Sequence, residues 1–236
     1  MTVPPEMEKP KDAADLYYAY GEDVVEARPI LTGDVFTDVT ITEVDGVKRQ
    51  VTVMILDHPC SLRTDGVNLV DRLTVAEVVP AAGAHWKGSF DCMFLPMPFP
   101  QSQSKSDLRA ARFDKCHHIS PAQLDAGTRI TCLSHFGINL MLQRRVKNFS
   151  RVLVPTFEFQ KANVGVYEEA DLIEEWCTER ENTIKINEAV AECVGWLQEA
   201  DGDGRLRQHR LHESQYRSTV RKEMRARLKE LKQQNE

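Results

Sequence analysis

With 236 residues, 42% hydrophobic and 28% charged, the chain holds enough apolar material for one sizeable core, or for one domain with a helical appendage, and wholesale disorder is excluded. No apolar run approaches the roughly 20 residues that a membrane-spanning helix needs. The charged, proline-rich start MTVPPEMEKPKDAAD lacks an apolar secretory core, so a cytosolic protein is expected. Six cysteines are scattered without a Cys-x-x-Cys pair, the pattern of reduced, mostly buried thiols rather than disulfides.

The net charge of −6 conceals an asymmetry: residues 205–236 carry ten Lys or Arg against four Asp or Glu, which leaves −12 on the first 204 residues. An acidic body with a basic tail calls for a charge-complementary partner for that tail. A nucleic acid would serve, and so would the acidic body of another subunit.

In chain order, residues 1–27 form a lead expected to be partly disordered. DLYYAYGEDVVEA suits a short helix and a strand equally. DVFTDVTITEV then alternates apolar and polar residues, Asp45-Gly46 is a tight-turn pair, and VKRQVTVMIL resumes an apolar strand, which together predict a hairpin. RLTVAEVVP (72–80) and SFDCMFLPM (89–97) read as further strands, separated by a proline-rich polar loop from RFDKCHHI. SPAQLD has a serine cap with proline at the first helical position, and TRITCLS looks like another strand. GINLMLQRRVKNF places Ile138, Leu142, Arg145, Val146 and Phe149 on one helical stripe. RVLVPTFEF suits an edge strand, limited by Pro155. From residue 168 onward the pattern is helical, with one stripe of Ile186, Val190, Cys193 and Leu197 and another of Val220, Met224, Leu228 and Leu231.

The fold class expected is therefore α+β. A small antiparallel SH3-like or barrel-like β domain spans residues 28–160, and a helical region with a basic terminal helix follows over 161–236. No glycine-rich loop follows a strand, so neither a dinucleotide nor a Walker phosphate site is available.

Chemistry-bearing residues fall in several places. The strand VTVMIL breaks into Asp57, His58, Pro59 and Cys60. A thiol becomes nucleophilic only when a cation stabilises its thiolate; His58 and Arg63 could supply the charge, with Asp57 orienting His58. The competing reading is an ordinary turn capped by Asp57, with Cys60 packed inward. Cys116 and His118 in one strand, with Cys132 and His135 further on, could close a tetrahedral zinc site, although the spacing is not that of a finger or ribbon. Zinc is thus the one cofactor the sequence leaves open. EADGDGRLRQHR imitates the first half of an EF-hand loop, but Arg210 stands where the closing carboxylate belongs, so calcium is excluded. The terminal helix presents Arg217, Arg221, Lys222, Arg225 and Lys229, suited to phosphates or to a protein partner.

The segment from Thr32 to His58, TGDVFTDVTI through DGVKRQVTVMILDH, resembles the opening of the MazF/PemK-like toxin family. The shared features are Gly33, Asp34, Phe36, Arg49 and the apolar run Val51 to Leu56, with LTVAEVVP as the next strand. The resemblance implies a small barrel and endoribonuclease activity within a bacterial toxin–antitoxin pair. The family's Arg-Pro pair is Arg49-Gln50 here, and Ala81, Ala82 and Gly83 replace its Ser or Thr. Arg49 alone carries over, as a group that stabilises a phosphate transition state.

Two functions follow as expectations. The first is a non-catalytic interaction module that uses its C-terminal helices to bind a protein partner, a second copy, or RNA or DNA, with no membrane contact. The second is a toxin-like, nucleic-acid-processing enzyme with Arg49, Asp57, His58, Cys60 and Arg63 at its site and His58 as acid/base.

Overall fold

The computed structural model describes residues 6–88, 90–96, 107–200 and 202–233. They form an α+β protein with a seven-stranded antiparallel sheet followed by helices. Contacts divide the chain into two compact units: residues up to Val24 with Ile30–Lys161, and Val25–Pro29 with the chain from Ala162 onward. No helix among the described residues is long and apolar enough to cross a membrane.

In the first unit the strands are β1 (Tyr17–Tyr20), β2 (Val35–Thr42), β3 (Lys48–Ile55), β4 (Leu73–Pro80), β5 (Cys92–Pro96), β6 (Leu108–Ile119) and β7 (Thr128–Leu133). Their order across the sheet is β1-β7-β2-β3-β4-β6-β5. The ambiguous stretch at residues 15–27 resolves into the end of a 3-10 turn (Ala13–Leu16), the strand β1 and a second 3-10 turn. The β2–β3 hairpin turns at Asp45-Gly46, as its residues dictate: Gly46 has φ +84°, a conformation that glycine adopts without strain. In β2 the alternation slips between Phe36 and Val39, where Asp38 takes φ 60°, and Val39 and Ile41 return to the buried face. The hairpin's inward residues, Val39, Ile41, Val53 and Ile55, join Leu73, Val75 and Ile119 in one core. Leu124 of α1 (Pro121–Asp125) covers it, and Ser120 caps that helix through a capping box with Gln123.

The expected barrel does not close. The two edge strands are only four and five residues long, and the Tyr17 hydroxyl of one donates to the Pro96 carbonyl of the other at 2.8 Å. Helix α2 (His135–Ser150) packs against the 3-10 turn before β1, against β7 and against β5, so a helix stands where edge-to-edge pairing would be. This position also overturns the single apolar stripe. Every residue from Gly137 to Arg144 is buried, while Phe149 is 67% exposed. Polar groups on the buried turns find partners: Asn139 donates to Gln160 at 2.6 Å, and Gln143 to the Val154 carbonyl at 2.9 Å.

Nor is RVLVPTFEF a strand. Arg151 ends α2 in the left-handed conformation, and α3 (Thr156–Arg180) starts directly after Pro155. The Glu8 carboxylate accepts from the Thr156 amide at 2.8 Å and from its hydroxyl at 2.7 Å. It thereby satisfies donors that a helix N-terminus leaves open. A residue of the lead, 148 positions away, thus sets where this helix begins.

The second unit contains α3 from Ala162, α4 (Ile186–Gln198), α5 (Arg207–Leu211) and α6 (Ser214–Gln233). Its core gathers Leu172, Trp176, Cys193, Trp196 and Leu211 with the α6 stripe of Val220, Met224, Leu228 and Leu231. In α4 the stripe is rotated from the expected one: Ala189, Cys193, Trp196 and Leu197 are buried, and Ile186 is 39% exposed. Arg28 pins the segment Val25–Pro29 to α3 through Asp171 (3.0 Å) and Glu174 (2.8 Å).

Candidate functional site

The break after β3 is built as a turn. His58 precedes Pro59 with extended backbone, and its Nδ1 accepts from the Cys60 amide at 3.3 Å, capping the 3-10 turn Pro59–Ser61. Asp57 accepts from the Thr74 amide at 2.6 Å, and its carbonyl accepts from the Thr32 hydroxyl. Arg63 donates to the Ile30 carbonyl at 2.9 Å, and Arg145 of α2 donates to the Leu56 carbonyl. The side chains of Asp57, His58, Arg63 and Arg145 thus hold backbone, whereas Cys60 is exposed rather than packed inward. Desolvation nonetheless pushes the Cys60 thiol up, which opposes the thiolate that nucleophilic chemistry needs. Burial, and then the Arg145 charge, pushes His58 down.

A pH dependence follows. A lowered folded pKa means the fold favours the neutral ring, so this contribution to stability is complete above pH 6.5 and is lost as pH falls through the lowered value. His58→Asn keeps an acceptor for the cap and removes the titration. Urea midpoints at pH 7.5 and 5.5 should therefore differ less in the variant than in the wild type. Equal losses in the two proteins would assign the acid sensitivity of the sheet unit to other groups.

Arg49 does not join this set. It lies near the start of β3, while Asp57 follows its end, a separation of roughly 25 Å along an extended strand. Its guanidinium is engaged by Glu43 through Nε and by Glu77 through both terminal nitrogens. Glu77, 5% exposed, also meets His117 Nε2 at 2.7 Å. Burial works to raise the Glu77 carboxyl, but the hydrogen bonds from Arg49 and His117 outweigh it and hold the group below its ordinary value. Between the pairs Ala76–Cys116 and Val78–Ala111, four residues of β6 stand opposite Glu77 alone, a bulge of the kind that re-aims side chains. Sequence reading missed this chain of charges. The signal available was a carboxylate in the middle of the apolar run LTVAEVVP. Three of the five guanidinium N–H groups of Arg49 are thus engaged by carboxylates, whose negative charge opposes the approach of a phosphate.

The four candidate zinc ligands are not brought together. Cys116 and His118 lie on β6, Cys132 on β7 and His135 at the start of α2. In the sheet β7 and β6 are separated by β2, β3 and β4. Cys116 is exposed, with its thiol donating to the Phe113 carbonyl at 3.3 Å, whereas Cys132 is buried. Among the described residues no group of three or more His, Cys, Asp or Glu could hold a metal ion.

In the second unit the basic helix meets acid from its own chain. Arg221 pairs with Glu168 at 2.7 Å and Glu175 at 3.3 Å, Arg225 with Glu175 at 3.2 Å, and Lys232 with Glu179 at 2.6 Å. Arg217 donates to the carbonyls of Leu211 (2.8 Å) and His212 (3.2 Å). Lys222 and Lys229 make no ion pair among the described residues and face outward. Much of the tail's charge is therefore spent on α3. No family model matches the chain, and neither a curated protein nor a solved structure matches it.

Proposed function

We propose that the protein is a non-catalytic interaction module whose partner is another protein, engaged at the corner between α2 and α3. The observation that carries this reading is the exposure of Phe149, Val152 and Phe157, at 67%, 58% and 63%, within nine residues of chain. Large apolar side chains held in water at one corner mark a contact surface more often than isolated exposed residues do. The engagement of Arg49, Asp57, His58 and Arg63 in holding the fold supports a binding role over the toxin-like ribonuclease. The ion pairs between α6 and α3 support a packing role for α6 over a phosphate-tracking one. Six free thiols fit a reducing compartment.

A photoreactive residue placed at position 157, compared with one at Lys222 on the outer face of α6, tests the assignment in cells. A discrete crosslinked protein is expected from position 157, lost when Phe149→Ser is added and absent from position 222. Crosslinks to protein or RNA from position 222 alone would move the surface to α6. Crosslinks from neither position would remove the support for an interaction module.

A further inference from the structure

Arg144, in the middle of α2, is 0% exposed. Its Nε donates to the Cys92 carbonyl at 2.7 Å and one terminal nitrogen to the Trp86 carbonyl at 2.9 Å. The guanidinium lies over the rings of Trp86 and Phe94, with centroids at 5.2 and 5.1 Å. Among the described residues the other terminal nitrogen has no hydrogen-bond partner, and no carboxylate pairs with the group. Buried charges are ordinarily paired, because removing one from water is costly. Here burial pushes the guanidinium down to about 10, a sign of how little around it compensates the charge.

The two residues that Arg144 holds on β5, Cys92 and Phe94, also line a cleft of about 470 Å³. That volume falls within the range of small-molecule sites, roughly 300–1,000 Å³. His85, Asp91, Arg112 and Lys115 stand in the same cleft. Arg112 is neutralised by Asp91 (3.2 Å) and Asp114 (2.8 Å), whereas Lys115 makes no ion pair among the described residues. The cleft is thus faced by one cation at its lining and backed by a second in a low-dielectric setting, where its field reaches further than it would in water.

We propose that this cleft binds a small molecule through an oxyanion group, phosphate or carboxylate, held by Lys115 and by the charge of Arg144 behind the Cys92–Phe94 wall. The anion would supply the counter-charge that the fold withholds from Arg144. Arg144 itself does not line the cleft, so it acts on the anion through the reach of its charge and not through a hydrogen bond. This site is independent of the α2–α3 corner and stands or falls separately from it.

Titration calorimetry of the full chain with inorganic phosphate and, separately, with acetate tests the proposal. Saturable binding of at least one anion is expected, and the preferred anion tells a phosphate ligand from a carboxylate ligand. Lys115→Ala should weaken the binding at least tenfold without changing the circular dichroism. Arg144→Met should do the same; the thioether chain roughly matches the buried stem, and exchanging a buried charge for an apolar side chain is often neutral or stabilising. If Arg144→Met does not fold, Lys115→Ala decides. No saturable heat with either anion, or wild-type binding in Lys115→Ala, overturns the site.

Discussion

Trp176→Ala is expected to destabilise the helical unit by about 3–5 kcal/mol, the usual cost of emptying a fully buried indole site. Trp176 is 0% exposed and lies against Trp196, with ring centroids 5.5 Å apart. Its Nε1–H donates to Glu192 at 2.9 Å, and Glu192 in turn receives Arg180 at 3.0 Å. Truncation therefore leaves a cavity and also removes one donor from a carboxylate that organises α3 against α4. Against a total stability of about 5–15 kcal/mol for an ordinary domain, the loss is a large share. Trp176→Phe should restore most of the packing and none of the hydrogen bond. Urea unfolding followed by the helical circular dichroism signal orders the three proteins: wild type, then Phe, then Ala. A midpoint for Trp176→Ala close to that of the wild type would mean the bundle core is not centred on this residue.

Gly137→Ala should destabilise the sheet unit by roughly 2–3 kcal/mol, the sign opposite to helix propensity. In an unobstructed helix, alanine is better than glycine by about 0.5–1 kcal/mol. Here a Cβ would stand 2.3 Å from the Leu16 carbonyl oxygen and 3.2 Å from the Leu133 Cβ. The obstacle is largely backbone, so α2 would have to move away from the 3-10 turn that precedes β1. That contact is part of what places α2 between the sheet's edges. Gly195, inside α4, meets nothing within 4 Å, and Gly195→Ala is the matched control, expected to gain about 0.5–1 kcal/mol. Thermal midpoints of both variants beside the wild type check the pair. Two shifts in the same direction would contradict the close packing of α2.

Features whose cause lies within a few residues are legible along the chain. Asp45-Gly46 predicts its hairpin because glycine accepts the backbone that the turn imposes. Ser120-Pro121 predicts a helix start because the serine oxygen reaches an amide three residues on. Val220, Met224, Leu228 and Leu231 predict the buried face of α6 because helical periodicity alone puts them together. The α+β class follows from adding up such signals.

Whatever depends on distant segments of chain follows from packing instead. Glu8 caps α3 from 148 positions away, so RVLVPTFEF could not be read as a helix start from its own residues. Arg144 and Gln143 are buried and Phe149 is exposed because α2 is surrounded over two turns, which overrides the stripe its sequence suggests. The sheet remains open because that helix stands beside both edges, a fact no strand encodes. Glu77 and His117 meet across β4 and β6 from 40 positions apart, and they place Arg49 in an ion-pair network rather than at a phosphate. Asp57 and His58 are neighbours in sequence, yet each turns its polar group to a different backbone amide, of Thr74 and of Cys60. The physical reason is common to all of these cases. Propensity and capping act over one or two turns of chain, whereas burial and charge pairing depend on which surfaces the whole fold brings into contact.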